Sequence, residues 1–384
     1  MFVPNRNIPY SRQLIEEDDI QAVSEVLKSD YLTQGPMVDS FEKTLAEYTG
    51  AKYAVAFATG TAALHAAYFA AGIQPGDEVI TSPITFAATA NAALYLGASP
   101  VFVDIEPETG NIDSARIEEK ITPKTRLIAP VHYSGHPVDL DPIHEIAKKY
   151  NLIVVEDASH AIGAAYKGKR IGALSDMTTF SFHPVKPITT GEGGAALTDN
   201  PDFYSRLRLF SSHGITKDPT LLQDKNQGTW YYEMLHLGYN FRITDIQCAL
   251  GVSQMKKLDR FIRERRELVS RYQEAFKDDD RLIIPFEKDY AFSSWHLVAS
   301  RLEGDFVSKR KAIFEALRDK KIFVQVHYIP AYWQPYYQSL GYARGICPQA
   351  EKFYEAEISL PVFQGMISGE VDYVIDTVKQ LLTL

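Results

Sequence analysis

Strand-like and helix-like segments alternate along the first half of the chain, and this alternation constrains the fold more than any other feature. A buried-strand pattern at Tyr53–Phe57 is followed by a helix pattern at Ala62–Ala71, and the same order recurs up to the apolar strand pattern Leu152–Glu156. Helices that connect successive parallel strands must cover both faces of one sheet. The sequence therefore predicts an α/β fold, a mostly parallel sheet sandwiched by helices.

The length of the chain predicts a second domain. A chain of 384 residues exceeds what one hydrophobic core usually supports. Beyond the alternation, Thr244–Phe276 has the pattern of an interrupted helix, and we place the boundary within it. We therefore expect a large domain over residues 1–250 and a smaller α+β domain over residues 251–384. In the smaller domain the pattern predicts strands at Ser293–Ala299 and Phe323–Val326.

Composition narrows the compartment and the partners. A net charge of −9 disfavours nucleic acid and anionic membrane surfaces. The two cysteines, Cys248 and Cys347, give neither a disulfide framework nor a metal cluster and suit a reducing compartment. Residues 1–10 lack the apolar core of a signal peptide, and prolines and a glycine interrupt the uncharged stretch Ile80–Val103. We expect a cytoplasmic protein with no metal, no nucleic acid and no membrane partner.

One lysine lies on a short connector between two predicted strands. The strand patterns are Met177–Phe182 and Ala195–Thr198, and Lys186 falls between them. Burial favours the neutral amine, which is a nucleophile that forms a Schiff base with an aldehyde cofactor such as pyridoxal phosphate. The alternative is a solvated lysine on a surface loop. The nearby Ser181 and His183 and the glycine-rich turn favour the reactive lysine.

The segment around Lys186 resembles a family signature. Residues 181–194, Ser-Phe-His-Pro-Val-Lys-Pro-Ile-Thr-Thr-Gly-Glu-Gly-Gly, resemble the signature of the nucleotide-sugar aminotransferases, which are fold-type I enzymes that use pyridoxal 5'-phosphate. The resemblance covers nearly the whole chain. It implies the fold-type I architecture and a Schiff base between Lys186 and the cofactor. Related sugar 3-dehydrases have histidine at this position, so the lysine favours transamination.

A tight turn after the first strand pattern is a candidate phosphate site. The residues Thr59, Gly60 and Thr61 lead into a helix pattern. Free amide groups at a helix start, together with the helix dipole, bind phosphate. Threonine also caps helices for purely structural reasons, which is the alternative. The resemblance implies that this turn holds the cofactor phosphate and that Ser181 donates its hydroxyl to the same phosphate.

An aspartate follows the last strand pattern of the alternation. A carboxylate that keeps the ring nitrogen of the cofactor protonated makes the ring a better electron acceptor, and Asp157 stands where this group is needed. The alternative is an aspartate that starts a turn. The segment Glu156–Ala161 resembles the family motif for this aspartate. The resemblance also implies that Phe86 stacks on the pyridine ring, unless it is a core residue. His160 then contacts the ring oxygen or ring face, or supports a neighbouring side chain.

A further motif, Gly-Tyr-Asn-Phe-Arg, contains Asn240 and Arg242. It resembles the family loop that reaches the phosphate of a neighbouring subunit, which implies a homodimer with shared active sites. The alternative is that both residues organise only their own loop. Arg242 could instead receive the carboxylate of the amino donor in a bidentate pair.

The resemblance also concerns the substrate. It implies transfer of an amino group from glutamate to C4 of a UDP-linked 4-keto-6-deoxy-N-acetylhexosamine on the way to pseudaminic acid. The alternatives are a dTDP-linked or C3-keto sugar and, from another class, a non-catalytic regulator on the same fold. The implied substrate residues, besides Thr59, Ser181 and Asn240, are Tyr10, Asp30, Tyr31, Leu32, Thr33, Gln325, Val326, His327 and Tyr328.

Overall fold

The computed structural model describes residues 6–383. Residues 1–5, which belong to the stretch 1–10 that lacks the pattern of a signal peptide, lie outside this range. The helices are α1 (Glu17–Leu27), α2 (Pro36–Thr49), α3 (Gly60–Ala70), α4 (Ala88–Tyr95), α5 (Leu140–Tyr150), α6 (Pro201–Ser211), α7 (Asp245–Met255), α8 (Leu258–Phe276), α9 (Arg310–Asp319), α10 (Pro335–Ser339), α11 (Pro348–Ala356) and α12 (Ser368–Leu381).

The strands are short and lie in several sheets. They are β1 (Ile8–Pro9), β2 (Tyr53–Phe57), β3 (Glu78–Thr81), β4 (Ser99–Phe102), β5 (Thr125–Ala129), β6 (Ile153–Asp157), β7 (Ala165–Tyr166), β8 (Lys169–Arg170), β9 (Met177–Ser181), β10 (Gly194–Thr198), β11 (Ile215–Thr216), β12 (Glu233–Met234), β13 (Leu282–Ile283), β14 (Ala291–Phe292), β15 (Val298–Leu302), β16 (Ile322–Phe323) and β17 (Glu357–Leu360).

A seven-stranded sheet organises the first part of the chain. Its strand order is β2-β10-β9-β6-β5-β3-β4, and β10 is antiparallel to both of its neighbours while the remaining neighbouring pairs are parallel. Successive strand residues pack on opposite faces: Val154 belongs to one buried apolar cluster and Val155 to another. Both faces are therefore covered, and the predicted sandwich is confirmed.

The last part of the chain builds a separate apolar cluster. The antiparallel strands β13, β15 and β17 pack there with α9 and α12, and β1 joins it by pairing with β16. Helix α8 links the two parts, because Ile262 belongs to the cluster of the large sheet and Leu268 to the second cluster. The division at residue 250 stays a prediction.

Two strand predictions in this part were wrong in their bounds. The strand expected over Ser293–Ala299 begins only at Val298, since Trp295 has a φ of 49°, which no strand residue adopts. The strand expected over Phe323–Val326 ends at Phe323. Beyond it, Gln325 forms a single antiparallel bridge with Ser359. Alternation of apolar residues does not reveal either break.

The uncharged stretch Ile80–Val103 contributes to two strands of the large sheet and forms α4 between them. Within residues 6–383, no helix is long and apolar enough to span a bilayer. In the same range, no group of three or more histidine, cysteine, aspartate or glutamate side chains is arranged to hold a metal ion.

Candidate active site

A cavity of about 720 Å³ lies at the carboxyl ends of the parallel strands. In sheets of this kind, ligands bind at that edge, because the connections that follow neighbouring strands meet there. Residues that follow β2, β3, β6 and β9 line the cavity, and a segment from the second part of the chain forms a further wall. The predicted site residues that line it are Tyr10, Thr59, Gly60, Thr61, Phe86, Asp157, His160, Ser181, Lys186, Gln325, Val326, His327 and Tyr328.

Two glycines allow the backbone at this edge to pack closely. A Cβ atom on Gly60 would lie 2.7 Å from Cβ of Ser181, and one on Gly194 would lie 2.5 Å from the carbonyl oxygen of Thr59. Both distances are too short for any other residue type without displacement of the backbone. The glycines therefore place the turn after β2 directly against the end of β9.

This turn begins helix α3 and leaves hydrogen-bond donors free. Thr59 caps the helix, and its Oγ1 accepts from the amide of Ala62 at 3.0 Å. The amides of Gly60 and Thr61 lie in the first turn, where a helix offers no carbonyl to accept from them. The capping role and an anion site are therefore compatible. These amides, the helix dipole and the neighbouring Ser181 hydroxyl face the cavity and offer the donors that an anion would need.

Lys186 is only 8% exposed, and its side chain lines the cavity. Its amide donates to the carbonyl of His183 at 2.9 Å, which makes the tight turn that the glycine-rich segment indicated. Ser11 holds the same connector by donating to the carbonyl of Val185 at 2.8 Å. Burial lowers the pKa of the Lys186 amine to about 8, and the charge of Asp157 opposes this shift. A substantial neutral fraction is therefore present near neutral pH.

The carboxylate of Asp157 is buried and held on both oxygens. Oδ2 accepts from the hydroxyl of Thr89 at 2.6 Å, and Oδ1 accepts from the amide of Ser159 at 3.1 Å. The hydroxyl of Thr85 lies 2.7 Å from that of Thr89 and continues the chain. Sequence reasoning missed Thr89, which lies 68 residues before Asp157. The only signal was its spacing of four residues from Thr85, which is common in any helix start.

The hydrogen bonds of His160 fix its tautomer. The amide of Ser134 donates to Nδ1 at 3.2 Å, so Nδ1 carries no proton. Burial lowers the pKa of His160 well below its usual value, so the neutral ring carries its proton on Nε2. Nε2 lies 3.1 Å from the hydroxyl oxygen of Tyr328 and donates to it. The Tyr328 hydroxyl therefore keeps its own proton for a group in the cavity.

Phe86 forms an exposed aromatic wall of the cavity. Its side chain is 62% exposed, and its ring centroid lies 6.2 Å from that of Tyr328 in an edge-to-face arrangement. A core phenylalanine, the alternative considered from the sequence, would be buried. The exposed ring leaves an apolar face free for a flat aromatic ligand.

Six of the predicted residues lie outside this cavity. Arg242 donates to the hydroxyl of Ser212 at 3.0 Å, and Asn240 is bridged to the backbone of Ser212. Tyr31 and Arg242 border a second cavity of about 630 Å³. The residues that do not line the Lys186 cavity of their own chain are Asp30, Tyr31, Leu32, Thr33, Asn240 and Arg242.

The fold and the buried lysine define the class of protein. The profile of the DegT/DnrJ/EryC1/StrS aminotransferase family matches residues 13–379, and the chain belongs to this family. The predicted family is thereby confirmed, and with it the prediction of a sugar aminotransferase with the fold-type I architecture.

Particular relatives match over almost their whole length. The UDP-4-amino-4,6-dideoxy-N-acetyl-beta-L-altrosamine transaminase of Campylobacter jejuni serotype O:23/36 is 42% identical, over 98% of this chain and 97% of the relative. The spore coat polysaccharide biosynthesis protein SpsC of Bacillus subtilis is also 42% identical, over 98% of each chain. Helicobacter pylori PseC, an aminotransferase involved in the biosynthesis of pseudoaminic acid, superimposes with a TM-score of 0.91 at 36% identity, covering 98% of this chain and 99% of PseC.

A further solved structure bears on the cofactor. The putative sugar aminotransferase Spr1654 from Streptococcus pneumoniae, in its PLP form, superimposes with a TM-score of 0.90 at 33% identity, over 98% of each chain. The cavity described here offers the groups that such a cofactor needs. They are a buried amine, a carboxylate held in place, free amides at a helix start and an exposed aromatic ring.

Proposed function

We propose that this chain is a pyridoxal phosphate-dependent aminotransferase that moves an amino group from glutamate to C4 of a UDP-linked 4-keto-6-deoxy-N-acetylhexosamine. The observation that carries the proposal is the placement of Lys186 and Asp157 on one cavity, with the amine neutral in part and the carboxylate held by Thr89. The names of the C. jejuni and H. pylori relatives support the sugar.

The residues of the cavity divide the work of holding the cofactor. When bound, pyridoxal phosphate supplies an aldehyde carbon and a ring that accepts electrons. Lys186 is the amine for the aldehyde, and Asp157 is the carboxylate for the ring nitrogen. Thr59, Gly60, Thr61 and Ser181 take the phosphate at the start of α3. The exposed face of Phe86 and the edge of His160 confine the ring.

Proton transfer falls to the Lys186 amine. Once free of the cofactor, Nζ accepts a proton from the α-carbon of glutamate and later returns a proton to C4 of the sugar. A pKa of about 8 suits both directions, because neither the neutral nor the charged amine is rare at neutral pH.

The wall opposite the sheet is proposed to bind the nucleotide sugar. Tyr10 and the segment Gln325–Tyr328 line the cavity there. Tyr10 and His327 are in ring contact, with centroids 4.9 Å apart, and the Tyr328 hydroxyl has a proton to donate. These groups offer an aromatic surface and several donors to a sugar and its phosphates.

We propose further that the protein is a cytoplasmic homodimer in which each cavity is completed by the partner. Asn240, Arg242 and the exposed stretch Asp30–Thr33 do not reach the cavity of their own chain. The segment before Asn240 exposes large apolar side chains, including Trp230 at 73% and Leu237 at 79%. Exposed apolar patches of this kind mark protein interfaces.

An assay with a panel of substrates tests the proposed function. Glutamate should aminate the UDP-linked 4-keto sugar, and the Lys186→Ala variant should be inactive and lack the visible absorbance of the bound cofactor. Turnover confined to a dTDP-linked or C3-keto sugar would reject the assigned substrate. An unchanged visible spectrum in the variant would reject the role of Lys186.

A further inference from the structure

Three buried groups form a chain that ends at the substrate wall of the cavity. Oε1 of Glu357 lies 2.5 Å from the hydroxyl oxygen of Ser359, and that oxygen lies 2.8 Å from Nδ1 of His327. Oε2 of Glu357 accepts from the amide of His327 at 2.7 Å. All three residues are buried, and among them His327 lines the cavity. These hydrogen bonds therefore connect the interior of the second part of the protein with the proposed substrate site.

The hydrogen bonds that join Glu357, Ser359 and His327 allow two arrangements of protons. If Glu357 is ionised, the Ser359 hydroxyl donates to it, and Nδ1 of His327 must carry a proton and donate to Ser359. If Glu357 is protonated, it donates to Ser359, which donates to Nδ1, and His327 carries its proton on Nε2. The charge of Glu357 thus decides whether His327 offers the cavity a donor or an acceptor.

The surroundings of Glu357 favour the protonated form. The residue is completely buried, and no lysine, arginine or histidine side chain forms an ion pair with it in residues 6–383. Arg310 is the cation whose charge acts on it, yet the guanidinium of Arg310 donates to the carbonyl of Tyr354. A buried carboxyl group without an ion-pair partner favours the neutral form, and here burial outweighs the hydrogen bonds from the His327 amide and Ser359. Burial raises the pKa of Glu357 to about 8, in agreement with this argument.

Hydrogen bonds fix the backbone on both sides of the His327 ring and thereby its position at the cavity. The Tyr133 hydroxyl donates to the carbonyl of His327, and the amide of Ser359 donates to the carbonyl of Gln325 at 2.8 Å. In residues 6–383, Nε2 of His327 has no hydrogen-bond partner, although it is not a sealed interior atom. Nε2 is thus the one end of the chain that is open to a ligand.

We propose that Glu357 is a positioning residue that, as a neutral acid acting through Ser359, fixes His327 in the tautomer that presents an Nε2–H donor to an oxygen of the acceptor sugar. The proposal rests on the proposed function for the identity of the ligand. The tautomer itself is independent of that function, so it can be tested without turnover.

The substitution Glu357→Gln tests the proton arrangement. The amide of His327 requires an acceptor, so the glutamine oxygen must take the Oε2 position and its NH₂ group must face Ser359. The glutamine then donates to Ser359, as the neutral acid does. Ser359→Ala removes the link, and Ser300→Ala, a buried serine on the neighbouring strand β15, is the matched control.

The measurement is the ¹⁵N spectrum of histidine-labelled holoenzyme, with the His327 signals assigned from the His327→Asn variant. We expect the Nε2–H tautomer alone in the wild type, in Glu357→Gln and in Ser300→Ala, and a mixture of the two tautomers with a shifted Nδ1 signal in Ser359→Ala. A change of tautomer in Glu357→Gln would show that Glu357 is ionised and would overturn the proposal. So would an unchanged spectrum in Ser359→Ala. If Ser359→Ala fails to fold, the Glu357→Gln spectrum still decides.

Steady-state kinetics give a second readout. Ser359→Ala should raise KM for the nucleotide sugar about tenfold, the value of one hydrogen bond, with kcat and KM for glutamate within about twofold of the wild type. Glu357→Gln should leave all of these within about twofold. Equal losses for both substrates would indicate general damage and overturn the positioning role. The expected spectra in an enzyme without activity on any keto sugar would reject the proposed function and leave the tautomer assignment standing.

Discussion

The hydroxyl of Thr89 donates to Oδ2 of Asp157 at 2.6 Å, and both groups are buried. Thr89, on α4, thus holds one oxygen of the carboxylate, and the amide of Ser159 holds the other. Neither bond neutralises the charge. The carboxylate is thereby oriented and remains available to a cationic ring.

Removal of the Thr89 hydroxyl should therefore weaken cofactor binding. Thr89→Val keeps the volume but leaves Asp157 without one donor, and a lost hydrogen bond to a charged group is worth about 1.5 to 3 kcal/mol. We expect the dissociation constant for pyridoxal phosphate to rise at least about tenfold in an absorbance titration. Thr198→Val is the control, because Thr198 is also buried but lies at the end of β10 that is remote from Gly194 and the cavity. Equal affinity in both variants would contradict the role of Thr89.

Burial of the Lys186 amine should make the free energy of unfolding of the cofactor-free protein depend on pH. The pKa of Lys186 is about 8 in the folded chain and near 10.5 when unfolded, so the unfolded chain binds more protons between these values. The resulting penalty on folding is complete below pH 8 and disappears as the pH rises to 10.5. It amounts to about 3 kcal/mol.

Urea unfolding of the cofactor-free wild type and of Lys186→Met measures this penalty. The free energy of unfolding of the wild type should rise relative to that of Lys186→Met between pH 8 and 10.5. The difference between the two proteins cancels the titration of all other groups. A constant difference over this range would mean that the amine is solvated.

Gly60 should tolerate no side chain unless Ser181 gives way. The Cβ atom of Gly60→Ala would lie 2.7 Å from Cβ of Ser181, which forces the start of α3 away from β9. We expect a loss of stability of about 1 to 3 kcal/mol in urea unfolding. The double variant with Ser181→Gly removes the opposing Cβ and should recover part of that loss relative to Ser181→Gly alone. Strictly additive effects would contradict the contact.

The sequence predicts the large sheet and the residues at its edge because both depend on local patterns. Lys186, Asp157 and Ser181 follow apolar strand patterns, and the carboxyl ends of parallel strands share one edge. Thr89 and Glu357 could not be predicted in this way. Each acts on a residue at least 30 positions away, and only tertiary packing brings them together.

The second part of the chain was predicted less well for a related reason. Its strands are short, and their bounds depend on contacts with the first part. Trp295 interrupts the apolar run at a positive φ, beside Ser294, whose hydroxyl donates to the carbonyl of His160 at 2.8 Å. The break in the strand therefore accompanies a contact with the active-site edge, and the alternation of apolar residues does not predict such a contact.

Mixed dimers test whether the active sites are shared. If Asn240 completes the cavity of the partner, a hybrid of one Lys186→Ala subunit and one Asn240→Ala subunit has one cavity with both substitutions and one that is intact. Random mixing makes about half of the dimers hybrid, so about a quarter of wild-type activity should return. The two parent variants should each be much less active than this mixture.

A hybrid of Lys186→Ala with Asp157→Ala is the matched control. Both of these residues line the same cavity of one chain, so each cavity of this hybrid carries one damaging substitution and no activity should return. Differently tagged subunits confirm that hybrids have formed. Recovery with Asn240→Ala but not with Asp157→Ala would establish a shared site. Exchange without recovery in either mixture would place Asn240 in its own loop alone, and the exposed apolar side chains around Trp230 and Leu237 would then need another partner.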